Sequence, residues 1–243
     1  MDETKKTHVE VKEPQITVRY LADFMAASER RRRSIVEGCK YRPIARLVQH
    51  KEATIAISGA IQSGPLSPEA LKEKADYIRN KLADGDFDAL TNEVNADYVE
   101  KFSEVSATIK LPDAEVLPGK VFAPFKINGV KIRFSPHLLL RRFNKKTNKE
   151  RRGAFMLRYS KGRDLAPAVG GYQSAAAFGL LKDYLPEEGS EVDKAICVTL
   201  DAYSGEVYPA PGASISMFAD MKAACLTIAE RWPNIKPPKG AVI

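Results

Sequence analysis

Near residue 105 the spacing of apolar side chains changes, and this change restricts the fold of the chain more than any motif in it. Before that point apolar residues recur at helical intervals. Val18, Leu21, Phe24 and Met25 do so, with Thr17 placed to cap the helix. Ser28 is placed to open a second helix, "ERRRRSIVEGC", which should end near Gly38. A third is expected through "IARLVQHKEATIAISGAI", with Ile44, Leu47, Val48 and Ile55 on one side. A fourth should cover 71–82. After a turn in "ADGDFDALT", a fifth should run from about Asn92 to Phe102. Beyond residue 105 the segments "VFAPFKI", "GVKIRF", "HLLLRRF" and "RGAFMLRYS" alternate or run apolar over strand lengths. Asn128-Gly129 signals a hairpin. A second hairpin is expected around Ser204-Gly205, and helices over "YQSAAAFGLLKDYL" and "SISMFADMKAACLTIAERW". The stripe Phe218, Met221, Cys225, Ile228 and Trp232 on the last helix reads as core packing. The order is helices, then β-β-β-α-β-β-α. It predicts an α+β fold, with residues 1–15 a flexible tail, 16–105 a helical region and 106–243 a mixed-sheet domain.

Several classes of function are disfavoured by what the chain lacks. No run of eighteen apolar residues is present, so no membrane-spanning helix is expected. The segment "MDETKKTHVEVKEPQ" has no apolar core of a secretory signal, and a cytoplasmic location is expected. Cys39, Cys197 and Cys225 are odd in number and widely spaced, which argues against a disulfide framework or a paired-cysteine zinc site. His8, His50 and His137 lie far apart, with no partner at i+3 or i+4. No metal and no cofactor are expected from these residues.

Net charge is +7, and its distribution says more than its sum. Between Lys131 and Arg163 twelve basic residues face only Glu150, giving +11 in that window and −4 over the remainder. Between Glu29 and Lys51 eight basic residues face two acidic ones, while Gly64 to Glu115 holds six basic and twelve acidic residues. A single charge run is ordinarily a solvated face. Two such blocks repel unless something neutralises them, and a polyanion does so while releasing counterions. Nucleic acid is the expected partner, DNA ahead of RNA, with an anionic membrane or another acidic partner as alternatives. The expected phosphate contacts are Arg30, Arg31, Arg32, Arg33, Lys40, Arg42 and Arg46 in the first block. In the second they are Arg133, Arg141, Arg142, Lys145, Lys146, Arg151, Arg152, Arg158, Lys161 and Arg163. Tyr159, Tyr172, Tyr203 and Tyr208 could stack on bases or be half-buried packing residues. The acidic 64–115 region could meet a basic protein partner.

The segments "GVKIRF", "FMLRYSKGR" and "YQSAAAF", in that order, resemble the core of the PD-(D/E)XK nuclease superfamily, particularly its RecB-like branch. The resemblance covers about residues 121–208. It implies a strand meander carrying acidic metal ligands, a crossing helix opened by a glutamine, here Gln173, and a further strand. Gln173 joins the candidate nucleic-acid contacts on this ground, with Phe178 and Tyr184 the nearest downstream aromatics and Lys161-Gly162 a second echo. The chain departs from the family at the acids themselves. Arg133, and Arg158 or Ser160, stand where the carboxylates belong, and an arginine cannot ligate Mg²⁺. The resemblance therefore implies a nuclease-like fold without the standard metal site.

Three further readings stay open. A metal-dependent nuclease could use displaced carboxylates from Asp113, Glu115, Asp201 and Glu206, with Mg²⁺ as its cofactor. The structural alternative makes these polar loop and hairpin-end residues. Residues 17–36 also have the outline of a helix-turn-helix, which would place Arg30 to Arg33 in a major groove. A protein-interaction module is the third. No catalytic residue is identified from the sequence.

Overall fold

A computed structural model describes residues 6–44, 49–145 and 147–243. In chain order the elements are β1 (His8–Glu10), β2 (Gln15–Thr17), α1 (Val18–Met25), α2 (Glu29–Lys40), β3 (Tyr41–Pro43), α3 (Lys51–Ser63), α4 (Pro68–Arg79) and α5 (Asp86–Ser106). Then come β4 (Glu115–Pro118), β5 (Phe125–Ile127), β6 (Val130–Arg133), β7 (Leu138–Asn144), β8 (Lys149–Arg158) and α6 (Pro167–Asp183). The last are β9 (Ser190–Val192), β10 (Val198–Asp201), β11 (Val207–Pro209) and α7 (Ser214–Arg231), with short 3-10 turns at Lys194–Ile196 and Trp232–Asn234. The fold is α+β.

The main sheet has the order β11-β10-β8-β7-β4, with β9 added beside the start of β8. β7 and β8 are antiparallel, whereas β8 and β10 run parallel and are joined by the α6 crossover. Parallel neighbours need such a crossover, and a helix is the usual one. A smaller sheet, β2-β6-β5, brings the chain before α1 alongside β6.

The strand β8 is the wall between two cores. Its side chains alternate faces, as the pleat requires. Ala154 and Met156 enter a core built from α1, α2, α6, α7 and the small sheet. Phe155, Leu157 and Tyr159 enter another, built from α3, α4, α5, β7 and β10. The molecule is thus three layers, helix-sheet-helix. The helices of the first hundred residues fall on both sides of a sheet made by the rest. Both cores draw on the 16–105 and 106–243 segments.

Local chemistry explains several elements. Thr17 caps α1 by accepting from the Tyr20 N–H at 3.2 Å. Asn128 and Gly129 have φ of 46° and 83°, the left-handed pair that a tight hairpin demands. Phe218, Met221, Cys225, Ile228 and Trp232 are all buried along one side of α7 and its terminal turn.

Other elements differ from the sequence pattern. Segment 7–10 is no loose tail, since β1 pairs with β3, and Thr7 and His8 donate backbone N–H bonds to Val242 O. After α2 the chain is extended over Tyr41–Pro43, and α3 begins only at Lys51. Ala53, Ile57 and Ile61 then turn inward, while Ile44 and Ile55 are exposed. Leu47 and Val48 lie outside the described residues. Helix α5 starts at Asp86, directly after Gly85, because two carboxylates in its first turn favour that end of a helix.

Candidate anion-binding cleft

A cleft of about 450 Å³ opens beside the end of β8, where the small sheet, α1, α3, α5 and α6 converge. Arg19 and Tyr20 come from the first turn of α1, Arg133 from the end of β6, and Ser135 and His137 from the link into β7. His50 and Thr54 come from the start of α3, Tyr98 from α5, Leu157 and Tyr159 from the β8 end, and Gln173 from α6. Among the described residues, none that lines the cleft is an aspartate or glutamate.

The floor is rigid. Arg158 is 7% exposed and carries a charge that burial alone would not support. Its Nη2 donates to Asp23 Oδ1 at 2.5 Å, and its Nη1 donates to Gln173 Oε1 at 3.1 Å. Gln173, also buried, therefore has its oxygen engaged and retains its NH₂ as a donor. Tyr98 and Tyr159 stack at 3.9 Å between ring centroids, and His50 sets its edge against both.

His137 is held by the backbone. The Leu157 N–H donates to His137 Nδ1 at 2.9 Å. The neutral ring must then carry its proton on Nε2, as a donor. Burial, with the nearby Arg19 guanidinium adding to it, depresses the imidazole to about 4. His50 is lowered for the same two reasons, burial first. Both rings are thus uncharged near neutrality. The fixed charges at the cleft are Arg19 and Arg133, both exposed and neither engaged in an ion pair or side-chain hydrogen bond among the described residues. Guanidiniums, a hydroxyl, an amide NH₂ and an imidazole N–H make a donor-rich concavity suited to an anion.

The expected phosphate contacts fare differently from one another. Arg133 and Gln173 line this cleft, and Arg158 lies behind Gln173, to which it donates. The 141–152 block is opposed by Glu150 within it and by carboxylates that arrive about forty residues later. Arg142 and Arg151 share Asp193 at 2.5 and 3.2 Å. Arg141 faces Glu150 and Glu187, and Arg152 reaches Glu187 and the carbonyls of Leu181 and Leu185. Lys145 in that turn remains exposed and unpaired among the described residues. Lys161 is tied to Asp97 at 2.6 Å, whereas the exposed Arg163 guanidinium has no partner among the described residues.

In the first block Lys40 is buried, and its ammonium donates to the carbonyls of Trp232, Pro233 and Ile235. It serves as an anchor of α2 and is removed from a surface role. Arg32 is half-buried and caps α1 through Phe24 O and Met25 O. Arg33 leans on Glu29, which also pairs with Arg231. Arg30 and Arg31 are exposed, and Arg42 is partly exposed on β3. Arg46 and Lys146 lie outside the described residues. A larger groove of about 690 Å³ beside α2 and α7 has its arginines engaged in these ways and includes Glu37 and Glu230. It is the poorer anion site despite its size.

The four displaced carboxylates do not all converge: Asp113 and Glu115 lie together, and Asp201 and Glu206 share the β10–β11 hairpin elsewhere on the sheet. Asp113 and Glu115 border a shallow depression with Arg141, Arg142 and Glu150. Asp201 lies opposite Arg158, eight residues further along β8 than Glu150, or roughly 25 Å at strand rise. It is buried and consumed by its own turn, accepting from the Leu165 and Tyr203 N–H groups and from Ser204 Oγ. Of the candidate stacking tyrosines, Tyr159 is buried against Tyr98, and Tyr208 donates its hydroxyl to Leu165 O. Tyr172 packs on the core, and Tyr203 lies under Lys101.

Sequence reading missed Arg19, Ser135, His50, His137 and Tyr20 as a group. They come from separate elements, and no spacing signal connects them. Among the described residues no helix is long and apolar enough to cross a membrane, and no cluster of three or more His, Cys, Asp or Glu could hold a metal ion. No protein-family model matches the chain, and no curated protein matches its sequence.

Proposed function

We propose that this is a cytoplasmic nucleic-acid-binding protein whose primary contact is the β8 cleft, on a nuclease-like fold that does not cut. The observation that carries the reading is the pair of guanidiniums, Arg19 and Arg133, unpaired among the described residues, at a donor-rich cleft with no carboxylate in its described lining. Exposed Tyr20 beside Arg19 offers a face for a base. Lys145, Arg163, Arg30 and Arg31 are further exposed cations, Lys145 at the far end of β7 from the cleft, within reach only of a strand that runs the length of the sheet. The donor set does not fit Mg²⁺, which takes oxygen ligands and is usually held by carboxylates. Binding should therefore be indifferent to chelator.

Binding should weaken steeply with salt, with log K falling linearly against log salt as counterions are released. Replacing both Arg19 and Arg133 by Gln should reduce the magnitude of that slope by about two, one for each phosphate no longer neutralised. Titrating labelled single- and double-stranded DNA and RNA at several salt concentrations measures both. The absence of binding at low salt, or an unchanged slope in the double variant, refutes the assignment.

A further inference from the structure

The cleft has two properties that a general backbone-binding groove does not require. It is small, about 450 Å³, which falls in the range of small-ligand sites. Its charge is also concentrated: two guanidiniums, unpaired among the described residues, serve one concavity, and the other polar groups lining it are neutral. An internal phosphodiester carries one negative charge. A terminal phosphomonoester carries about −1.5 to −2 near neutrality, with three strong acceptor oxygens.

Geometry strengthens the match. Gln173 offers its NH₂ as a donor, its oxygen already accepting from Arg158. His137 can only donate from Nε2, because Nδ1 is held by the Leu157 N–H. Ser135 and Thr54 add hydroxyls to the lining. The first turn of α1 forms one lip, bringing the positive end of the helix dipole with it. Arg158 and Asp23 neutralise one another below, so the net charge offered to a ligand is that of Arg19 and Arg133.

From these features we infer that the cleft takes the terminal phosphate of a single nucleic-acid strand, with Arg19 and Arg133 as its two charge partners. The inference rests on the nucleic-acid reading above and adds to it a preference for ends. The chemistry is that of a phosphomonoester and is shared by 5′ and 3′ ends, so both must be tried.

The test uses the full chain and internally labelled single-stranded oligonucleotides of one sequence, carrying a 5′-phosphate, a 3′-phosphate or hydroxyls at both ends. A circular strand of equal length serves as competitor. One phosphorylated form should bind at least about ten-fold tighter than the hydroxyl-ended form, as expected for charge-assisted hydrogen bonds, and the circle should compete no better than the hydroxyl-ended strand. Arg19→Gln and Arg133→Gln should each bring that ratio close to one. Both residues are exposed and unpaired among the described residues, so their melting temperatures should stay at that of the parent. Lys145→Gln should weaken all forms alike and preserve the ratio. Equal binding of phosphorylated, hydroxyl-ended and circular strands overturns end recognition while leaving nucleic-acid binding intact. A failure of every strand to bind at low salt overturns both.

Discussion

At the residue scale, the most exacting position is Arg158. A guanidinium this deeply buried is tolerated because Asp23 and Gln173 take its donors. Removing one partner of such a pair strands the other charge, which costs more than removing both. Asp23→Leu should destabilise the protein by about 3 kcal/mol, and adding Arg158→Met to it should recover much of that loss. Urea unfolding of the two single variants and the double variant measures the coupling. His137 gives the residue-scale pH response. Its folded imidazole titrates at about 4, against 6.5 for an unperturbed ring. Below pH 6.5 the unfolded chain takes up a proton that the folded chain refuses. The stability contribution is therefore complete above pH 6.5 and is lost as pH falls toward 4, amounting to about 3 kcal/mol at the end of that window. His137→Gln, whose amide oxygen can still accept from the Leu157 N–H, should unfold with a shallower dependence on pH over the same window.

At the scale of elements, packing is tightest where β8 passes the 3-10 turn before β10. A Cβ added at Gly153 would lie 2.1 Å from Ile196 O and 2.5 Å from Ile196 C, both backbone atoms that cannot swing aside. Gly153→Ala should cost on the order of 2–3 kcal/mol. Gly59, inside α3, has open space around it, and Gly59→Ala should raise stability by up to about 1 kcal/mol. Thermal melts of the two variants should move in opposite directions. Elements of this kind were also the most legible in the sequence. The Asn128-Gly129 hairpin announces itself because few residues accept positive φ. The α7 stripe does so because one face of a long helix must be apolar. By contrast β1, β3 and β9 have three residues each, too few to display alternation, and they exist only because a distant strand offers hydrogen bonds. The basic 141–152 block reads as unopposed along the chain for a similar reason. Asp193, Glu191 and Glu187 reach it through β9 pairing and the loop after α6, which no local window contains. Of the cleft residues, Arg133, Tyr159 and Gln173 were among the candidates from the sequence, with Arg158 bonded to Gln173 beside them. Arg19 and His137 join the cleft through tertiary structure alone.

At the scale of the whole molecule, the two regions separated by sequence pattern are not separable bodies. Phe102, Val99 and Tyr98 of α5 fill one face of the sheet, while Leu21 and Phe24 of α1 fill the other. Each such side chain is worth about 1.5–3 kcal/mol when buried, so a few of them together are comparable with the net stability of most domains. Residues 106–243 expressed alone should therefore fail to give a cooperative unfolding transition, and adding residues 1–105 in trans should restore one. A cooperative melt from 106–243 by itself would contradict this layering.

The single tryptophan gives the molecule a natural optical probe with a defined field of view. Trp232 is buried with its indole N–H donated to Val11 O, and its carbonyl accepts from the Lys40 ammonium. Its emission therefore reports on one junction, where the N-terminal arm, the end of α2 and the end of α7 are clasped together. The cleft residues do not include it. A change in selectively excited tryptophan emission on adding a ligand would signal movement transmitted to that clasp, whereas occupancy of the cleft alone would leave that emission unchanged.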